Sequence, residues 1–383
     1  MKLITVLGST GSIGVQALEL VKDNPEQFQV KALVAGGINL ELLWEQCKEF
    51  EVKKAAVFAG LTPESKESFR KINCEINSGM QAICEIASMP VDVVLNGING
   101  SIGLEPSLAT LNAGNTLALA NKESMVAGGE LLNKFSKEKI IPVDSEHNAL
   151  YQALKVGKLE DVDKLVLTAS GGPFRNIEDL SEVTLEQALA HPTWNMGPVV
   201  TINSATLFNK GLEIIEAHYL FGLPYENIEA VIHPQSAIHS LVQYKDGSTI
   251  AQASPPSMKL PIGYALNGGS HLKGSGRKFD WSSNFKWEFE PIDHQKFPSI
   301  ELAKIAGELG QSACATINAA NEIAVSAFMD RKLKFSQIIP IVSKVLGKIQ
   351  SLGDLGKINS FEDVSVVEHN ARKLALEILN VNL

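Results

Sequence analysis

Gly8-Ser9-Thr10-Gly11-Ser12-Ile13-Gly14 decides the fold, because it joins the short apolar run 2–7 to residues 12–22, whose apolar side chains recur with helical spacing. A glycine-rich turn between a strand and a helix lets a pyrophosphate approach the backbone, and the free N–H groups of the helix start favour its charge. The spacing G-x-x-G-x-x-G is less common than G-x-G-x-x-G, and a purely structural turn remains the alternative interpretation. In its context the stretch predicts a dinucleotide-binding domain.

Strands alternate with helices on both sides of this turn. We predict strands at 28–35, 54–58, 91–95 and 116–120, with helices at 40–50 and 104–112. Such alternation is typical of a doubly wound parallel sheet, so we expect an α/β protein with an N-terminal Rossmann-like domain. The second strand ends without an acidic residue, which favours NADP over NAD, but it also lacks a basic residue for a 2′-phosphate.

The rest of the chain predicts a second α/β region and a helical end. We expect strands at 165–169, 230–232, 237–244 and 249–253, a helix at 205–219, and helices after residue 300. Residues 267–299 lack periodicity and are predicted to pack through aromatic side chains, namely Phe279, Trp281, Phe285, Trp287 and Phe289. The predicted domains are therefore 1–144 (cofactor), 145–266 (catalytic), 267–299 (connecting) and 300–383 (helical).

Composition narrows the function classes. The 383 residues carry 34 Lys and Arg against 43 Asp and Glu, a net charge of −9, which argues against a general nucleic-acid binder but not against an anionic small substrate. No apolar run is long enough to span a bilayer, and no secretory signal is evident. Four scattered cysteines without a C-x-x-C pair fit a reducing compartment, so we expect a cytoplasmic protein.

Carboxylates follow two apolar stretches of the first region. Asp144-Ser145-Glu146-His147 places two acids at i and i+2, which share one side of an extended chain and suit Mg²⁺ or Mn²⁺. Asn121-Lys122-Glu123 follows the strand at 116–120, where parallel sheets bind ligands. Solvated strand ends are the alternative interpretation for both segments, and a structural role is favoured for His147.

Two further segments carry polar side chains in the second region. Asn209, Glu213 and Glu216 share one face of the predicted helix and could, with Ser204 and Lys210, bind a metal and a phosphate. The alternative is a charged surface with a Lys210–Glu213 pair, and spacing does not choose between Glu213 and Glu216.

The segment 170–197 begins with Ser-Gly-Gly-Pro, which could cradle a phosphate, and ends with His-Pro-Thr-Trp-Asn-Met-Gly. Trp194 and Met196 could form a lid, or could be core anchors. Structural roles are favoured for His-Pro-Gln-Ser at His233 and for Asn-Ala-Ala-Asn-Glu at Asn318.

Taken together, these motifs resemble the 1-deoxy-D-xylulose-5-phosphate reductoisomerase family in order and over nearly the whole chain. The resemblance rests on the glycine turn, Leu-Ala-Asn-Lys-Glu-Ser at Leu119, Asp-Ser-Glu-His at Asp144, Ser-Gly-Gly-Pro-Phe at Ser170, His-Pro-Thr-Trp-Asn-Met-Gly at His191, Asn-Lys-Gly-Leu-Glu at Asn209, and the motifs at His233 and Asn318. It implies an NADPH- and divalent-metal-dependent homodimeric enzyme of the non-mevalonate isoprenoid route. Its substrate would be 1-deoxy-D-xylulose 5-phosphate and its product 2-C-methyl-D-erythritol 4-phosphate.

The resemblance also implies roles for individual residues. Catalytic residues would be Lys122, Asp144, Glu146 and Glu213, of which the three acids would hold Mn²⁺, Mg²⁺ or Co²⁺. Lys122, Ser145 and Glu146 would contact the hydroxyl and carbonyl end of the substrate, and its other end, chiefly the phosphate, would be held by Ser170, His191, Ser204, Asn209 and Lys210. Glu213 would also contact the substrate. The NADPH site would be lined by Thr10, Gly11, Ser12, Ile13, Gly36, Asn39, Asn121, Glu123 and Gly197. Trp194 and Met196 would belong to the lid.

One departure and several alternatives stay open. Many family members carry a basic residue just after the glycine that ends the second strand, where this chain has Gly37-Ile38. A retro-aldol/aldol route and an α-ketol shift are both compatible with the residues, with Lys122 holding or polarising substrate oxygens. The rival functions are another NADP-dependent dehydrogenase, such as a semialdehyde or homoserine enzyme, and a non-catalytic nucleotide-sensing regulator.

Overall fold

The structure, a computed structural model, describes residues 1–194, 196–310 and 312–382, and side chains up to residue 380. The strands are β1 (Lys2–Leu7), β2 (Phe28–Ala35), β3 (Lys54–Val57), β4 (Glu75–Ser78), β5 (Val93–Asn96), β6 (Thr116–Leu119), β7 (Ile140–Pro142), β8 (Val162–Ala169), β9 (Ile228–Ile232), β10 (Ile238–Tyr244) and β11 (Thr249–Ala253). The helices are α1 (Ser12–Asp23), α2 (Leu40–Glu49), α3 (Pro63–Arg70), α4 (Met80–Ala87), α5 (Leu104–Asn112), α6 (Lys122–Leu132), α7 (Ser145–Ala153), α8 (Leu185–Leu189), α9 (Pro198–Ala205), α10 (Phe208–Phe221), α11 (Lys259–Leu266), α12 (Ser299–Leu309), α13 (Ala313–Met329), α14 (Ile338–Leu352) and α15 (Phe361–Asn382).

The chain forms two compact units that interleave along the sequence. The first unit contains Met1–Ser124, Leu132–Tyr151 and Ser257–Lys278, and the second contains Met125–Leu131, Gln152–Pro256 and Phe279–Leu383. Segment 257–278 belongs to the first unit because Ile262, Ala265 and Leu266 of α11 are fully buried in its hydrophobic core. The division into four consecutive domains therefore stays a prediction. Within the described residues, no helix is both long and apolar enough to cross a membrane.

The first unit is built on a seven-stranded sheet whose neighbouring strands are all parallel, in the order β4-β3-β2-β1-β5-β6-β7. The predicted doubly wound α/β sheet is confirmed. The chain leaves β1 in one direction as far as β4 and returns to β5 on the other side, so the topology switches between β1 and β5. Ligands bind at the carboxyl ends of strands at such a point. That edge carries the glycine turn.

Burial explains why these short strands are apolar. Residues 4–7 of β1 are all buried, as expected for a central parallel strand that is covered by helices on both faces. The predicted bounds for β2 and α5 are exact, and those for α1, α2, β3, β5 and β6 differ by no more than two residues at either end. The elements α3, β4, α4 and α6 were not predicted; β4 buries only one of its four residues, and α6 is interrupted by non-helical backbone at Gly128.

The second unit has a mixed four-stranded sheet in the order β11-β10-β8-β9, in which only β8 and β9 are parallel. All four predicted strands are confirmed. The predicted single helix 205–219 is wrong at its start, because α9 ends at Ala205 and α10 begins at Phe208. Leu207 separates them in the left-handed conformation with a φ of 56°. Spacing alone does not reveal such a break, since apolar residues continue across it.

The C-terminal part is helical, as predicted, and comprises α12 to α15. In the connecting segment, the Phe279 ring contacts Trp281, Phe285 and Trp287 at centroid distances of 5.5, 5.4 and 5.8 Å. Trp281 nevertheless remains 74% exposed, so these aromatic residues pack on each other at the surface. Phe289 stacks on the buried His233 ring at 4.7 Å.

Candidate active site

The glycine turn between β1 and α1 has the geometry of an anion cradle. Gly8 has a φ of 83°, and a Cβ there would lie 2.6 Å from the Gly97 carbonyl oxygen. A Cβ on Gly14 would lie 2.3 Å from the Gly8 carbonyl oxygen, so a larger residue would distort the turn. Gly11 is the N-cap residue of α1 and supplies no capping side chain. The first N–H groups of α1 are consequently available to an anion.

The other predicted cofactor residues of the first unit also follow its strands. Gly36 and Asn39 follow β2, where the Asn39 Oδ1 atom accepts the Leu42 N–H at 3.0 Å and caps α2. Asn121 and Glu123 follow β6. The Asn121 side chain is buried, and its Nδ2 atom donates to the Gly100 carbonyl oxygen at 2.6 Å. Asn121 therefore shapes the loop after β5. Gly197, the remaining predicted cofactor residue, is the N-cap of α9 in the second unit.

A lysine and two carboxylates lie at the ends of β6 and β7. The Lys122 Nζ atom lies 2.6 Å from the Asp144 Oδ2 atom, and both side chains are 12% exposed. The other Asp144 oxygen lies 3.1 Å from Nδ1 of the fully buried His147 and also accepts the Glu146 N–H at 3.3 Å. The Ser145 hydroxyl donates to a Glu146 carboxylate oxygen. The structure thus brings the predicted residues 122, 144, 145 and 146 together.

One detail of this cluster differs from expectation. Glu146 lies in the first turn of α7 rather than on extended chain, so the i, i+2 argument is wrong for this pair. The helix starts immediately after Asp144, whose carbonyl oxygen accepts the Asn148 N–H at 2.8 Å. Burial alone would raise the pKa of the Asp144 carboxyl, but Lys122 and His147 hold this pKa well below its usual value. Asp144 therefore favours its ionised form, and the structural role favoured for His147 stays a prediction.

A second lysine–carboxylate pair lies inside α10. Lys210 donates to one oxygen of Glu213 and Asn209 donates to the other. The Lys210 and Glu213 side chains are 4% and 2% exposed, so the interpretation of this pair as an ordinary charged surface is wrong. Glu216, one turn further on, is also fully buried. Buried ionised groups are costly unless they are paired, which indicates that this helix keeps them for a purpose other than solubility.

Ser170 and His191 form the second polar group of this unit. The His191 Nδ1 atom accepts the N–H groups of Thr193 and Trp194 at 3.1 and 2.9 Å. Its Nε2–H therefore donates to the Ser170 Oγ atom, 3.0 Å away. The same Oγ accepts the Gly172 N–H at 3.2 Å, which leaves the Ser170 hydroxyl hydrogen for a ligand. Burial lowers the pKa of His191, which favours this neutral form.

Trp194 and Ser204 lie close to this group. Gly172 lies against α9, since a Cβ on it would be 3.0 Å from the carbonyl oxygen of Ser204. Trp194 and Met196 are both half-buried, and their assignment to a lid stays a prediction. Asn195, which belongs to the same motif, lies outside the described residues.

Two motifs have the structural roles that were favoured for them. His233 donates through Nδ1 to the Glu288 carbonyl oxygen at 2.8 Å and accepts the Ala237 N–H at Nε2. It thereby fastens the connecting segment to the end of β9. Asn321 of α13 donates to the Asn203 side-chain oxygen at 2.9 Å, with both residues buried. This bond fixes α9, the helix that carries Ser204.

His239 is a polar residue of this region that the sequence did not single out. It is buried in β10, its ring lies 6.3 Å from the Trp194 ring, and its Nε2 atom donates to Ser254 at 3.2 Å. Burial, with help from His233 and Lys210, lowers the pKa of His239 to about 4. In the sequence, the position of this histidine within the apolar run of a strand could have indicated a buried, neutral ring.

Family models match three stretches of the chain. A model described as 1-deoxy-D-xylulose 5-phosphate reductoisomerase matches residues 4–129. A second model, described as the C-terminal domain of the same enzyme, matches residues 140–221. A model of the DXP reductoisomerase C-terminal domain matches residues 253–374.

Relatives and solved structures agree with these matches. The chain is 49% identical to 1-deoxy-D-xylulose 5-phosphate reductoisomerase of Beutenbergia cavernae, over 97% of this chain and 95% of that protein. Identity to the same enzyme of Streptomyces coelicolor is 50%, over 90% and 85% of the two chains. The Zymomonas mobilis enzyme, solved in complex with NADPH, superposes with a TM-score of 0.92 at 38% identity and covers 99% of both chains.

A further DOX-P reductoisomerase structure contains NADPH, fosmidomycin and magnesium. It matches with a TM-score of 0.89 at 35% identity, over 100% of this chain and 99% of that one. Matching family models therefore cover most of the chain, and the relatives cover nearly all of it. The chain belongs to the 1-deoxy-D-xylulose 5-phosphate reductoisomerase family.

Proposed function

We propose that the chain converts 1-deoxy-D-xylulose 5-phosphate to 2-C-methyl-D-erythritol 4-phosphate, a step of the non-mevalonate isoprenoid route, using NADPH and a divalent metal. The observation that carries the proposal is near full-length membership of this reductoisomerase family. The two lysine–carboxylate clusters described above add the residue types that the reaction needs.

The first unit fits a dinucleotide. The glycine turn leaves room for a pyrophosphate against the start of α1, and Thr10, Gly11, Ser12 and Ile13 border it. Gly36 and Asn39 after β2, and Asn121 and Glu123 after β6, lie at the same carboxyl edge of the sheet. We assign these residues, together with Gly197, to the NADPH site.

The carboxylates fit a hard divalent cation. We assign Asp144, Glu146 and Glu213 as ligands of Mg²⁺, Mn²⁺ or Co²⁺, because all offer oxygen and Asp144 is held ionised. A bound cation supplies Lewis acidity for the rearrangement of the ketose, and NADPH supplies the hydride for the reduction. Ser145 and the backbone of residue 146 orient the carboxylates through the hydrogen bonds given above.

The substrate's two ends need different partners. Lys122, whose ammonium group neighbours Asp144, would donate to the hydroxyl and carbonyl oxygens and oppose the charge that develops on them. The phosphate would be held by neutral hydroxyl and amide donors with one ammonium, namely Ser170, Ser204, Asn209 and Lys210. His191 would act by holding Ser170 in the orientation that leaves its hydrogen free.

A closed site would protect the reactive intermediate. The turn 191–194, fixed by His191, carries Trp194, and we propose that Trp194 and Met196 cover the bound substrate and exclude water. Both the retro-aldol/aldol route and the α-ketol shift require oxygens of the substrate to be held by Lys122 and the carboxylates. The residues named here serve either route.

We also propose that the chain is a cytoplasmic homodimer. Its four cysteines are free thiols, which fits a reducing compartment. The exposed aromatic residues around Phe279 form an apolar patch, which is a feature of surfaces that associate. Light scattering of the purified chain would test the dimer, and a mass of one chain at micromolar concentration would contradict it.

The activity itself is tested by mixing purified protein with NADPH and 1-deoxy-D-xylulose 5-phosphate, with and without Mn²⁺. We expect loss of NADPH absorbance only when metal and substrate are both present, with 2-C-methyl-D-erythritol 4-phosphate as the product identified by NMR. No oxidation under any metal condition, in protein with an intact circular dichroism spectrum, would overturn the proposal.

A further inference from the structure

Gln46 is a polar residue on the buried face of α2. Leu43 and Cys47 lie on the same face and are 0% and 1% exposed, and Gln46 itself is 6% exposed. Positions i, i+3 and i+4 of an amphipathic helix that packs on a core are usually apolar. An amide at such a position is costly unless it is hydrogen-bonded, so its partner indicates what it does there.

The partner of Gln46 is the glycine turn. The Gln46 Nε2 atom donates to the Ser9 carbonyl oxygen at 2.9 Å, although the two residues are 37 positions apart in the chain. The Ser9 N–H donates to the Val34 carbonyl oxygen of β2 at 2.8 Å. Ser9 is fully buried, whereas Gly11 and Ser12 of the same turn are exposed. The Ser9 backbone is therefore held by β2 and α2 beneath the exposed surface of the turn.

This bond fixes the orientation of the peptide group between Ser9 and Thr10. A trans peptide group is planar, so its C=O and N–H bonds point in opposite directions, and the described residues contain no cis peptide bond. Because Gln46 holds the Ser9 carbonyl toward the protein interior, the Thr10 N–H points toward the exposed side of the turn. Within the described residues this N–H has no hydrogen-bond partner. It therefore joins the first N–H groups of α1 as a donor for an anion.

The other half of the Gln46 amide has no such partner. Its Oε1 atom is buried and makes no hydrogen bond with the described residues, and the same holds for the Oγ atom of Ser9. A buried polar atom without a partner lowers stability. The core face of α2 thus carries an amide despite this cost, and what the amide supplies there is its hydrogen bond to the Ser9 carbonyl oxygen.

We propose that Gln46 is a positioning residue of the cofactor site, which holds the Ser9 carbonyl inward and thereby presents the Thr10 N–H to the pyrophosphate of the cofactor. The inference rests on the proposed function, because it concerns the cofactor of that reaction. Gln46 is buried beneath the turn, so it acts through the Ser9–Thr10 peptide group and does not touch the cofactor. A donor that is already aimed at its acceptor loses little freedom on binding, so the bond increases affinity for the pyrophosphate specifically.

The first test compares two ligands that differ in the pyrophosphate. Gln46→Met removes the donor and keeps a side chain of similar length. Calorimetry on the full chain should show that it weakens binding of 2′-phospho-ADP-ribose by about tenfold. Binding of adenosine 2′-monophosphate, which lacks the pyrophosphate, should weaken by less than about twofold. Equal weakening of both ligands would indicate a merely structural role and overturn the inference, as would unchanged binding of both.

A matched control comes from the same face of α2. Cys47→Ala removes buried packing next to Gln46 and should lower the thermal stability of the chain. It should leave both dissociation constants nearly unchanged, because it does not alter the bond to Ser9. Loss of pyrophosphate selectivity in Cys47→Ala as large as that in Gln46→Met would assign the effect to the packing of α2 and overturn the inference.

A measurement on the wild-type chain does not depend on how a variant folds. In protein labelled with 15N-threonine, the Thr10 amide signal is assigned as the one lost in Thr10→Ser. Its proton should move downfield when 2′-phospho-ADP-ribose binds, because a hydrogen bond to a phosphate oxygen deshields it, and should barely move with adenosine 2′-monophosphate. A Thr10 signal that does not respond to bound 2′-phospho-ADP-ribose would overturn the inference and leave the proposed function intact. Failure of the folded wild-type chain to bind NADPH would overturn both.

Discussion

The two lysine–carboxylate pairs of this protein are built in different ways. Lys122 and Asp144 come from the ends of two neighbouring parallel strands, and both remain partly accessible. Lys210 and Glu213 lie one turn apart in α10 and are almost completely buried. The first pair is therefore assembled by the topology of a sheet, whereas the second is assembled by helix periodicity. The second pair is the more completely buried, so the loss of one of its partners should cost more stability.

The largest effect is expected at the accessible pair. Asp144→Asn should lower turnover by about a thousandfold, because it removes an ionised metal ligand and the partner of Lys122. NADPH binding should stay largely intact, since the glycine turn is unaffected. Steady-state kinetics and NADPH fluorescence measure the two properties separately.

A matched control checks this result. Glu138→Gln removes an exposed acid from the same unit and should leave turnover unchanged. Wild-type turnover with unaltered metal dependence in Asp144→Asn would remove Asp144 from the metal site.

The buried pair should show the second effect, in stability as well as in binding. Lys210→Ala should lower the free energy of unfolding by about 3 kcal/mol, because it leaves the Glu213 carboxylate buried with Asn209 as its remaining donor on α10. Lys122→Ala should cost less than this, since Asp144 keeps its contact with His147. Urea unfolding of both variants gives the comparison, and equal losses would contradict it.

Kinetics separate the role of Lys210 in binding from its role in stability. If Lys210 binds the phosphate as proposed, its loss should raise KM more for the phosphorylated substrate than for the dephosphorylated analogue. An equal rise for both compounds would move Lys210 away from that group.

The smallest effect concerns pH and the turn that carries Trp194. Burial lowers the pKa of His191, so the unfolded chain binds a proton that the folded turn does not. The stability of the turn should therefore fall as the pH decreases below about 6.5, because protonated Nδ1 no longer accepts the Thr193 and Trp194 N–H groups. His239 stays neutral in this range, since its pKa is about 4.

Fluorescence can follow this change when Trp194 is the sole tryptophan, with Trp44, Trp281 and Trp287 replaced by Phe. In that background, His191→Asn should abolish the response to pH, because an amide oxygen accepts the same N–H groups and does not titrate. Identical titrations with and without His191→Asn would show that His191 does not control the turn.

The contrast between the pairs also shows what sequence reveals. The i, i+3 spacing of Lys210 and Glu213 predicts their contact, but their burial depends on the packing of α10, which local spacing does not contain. Conversely, Lys122 and Asp144 each follow an apolar strand, which predicted that both lie at the ligand-binding edge of the sheet. The ion pair itself depends on β6 and β7 being neighbours.

The same distinction holds for the fold. Apolar runs and glycine turns predicted most strands of the parallel sheet, because those strands are short, buried and bounded by turn residues; β4, which buries one residue of four, was missed. The break at Leu207 and the packing of α11 on the first unit were not predictable, since both depend on contacts between residues far apart in sequence. Family resemblance supplied the choice of Glu213 over Glu216, which spacing left open.

The central claim is that Asp144, Glu146 and Glu213 hold one divalent cation that turnover requires. Titration of the purified chain with Mn²⁺, followed by electron paramagnetic resonance, tests it most directly. We predict one bound Mn²⁺ per wild-type chain, and affinity lowered by about tenfold or more in Asp144→Asn and in Glu213→Gln but not in Glu216→Gln. Unchanged Mn²⁺ affinity in Glu213→Gln, in correctly folded protein, would contradict the account.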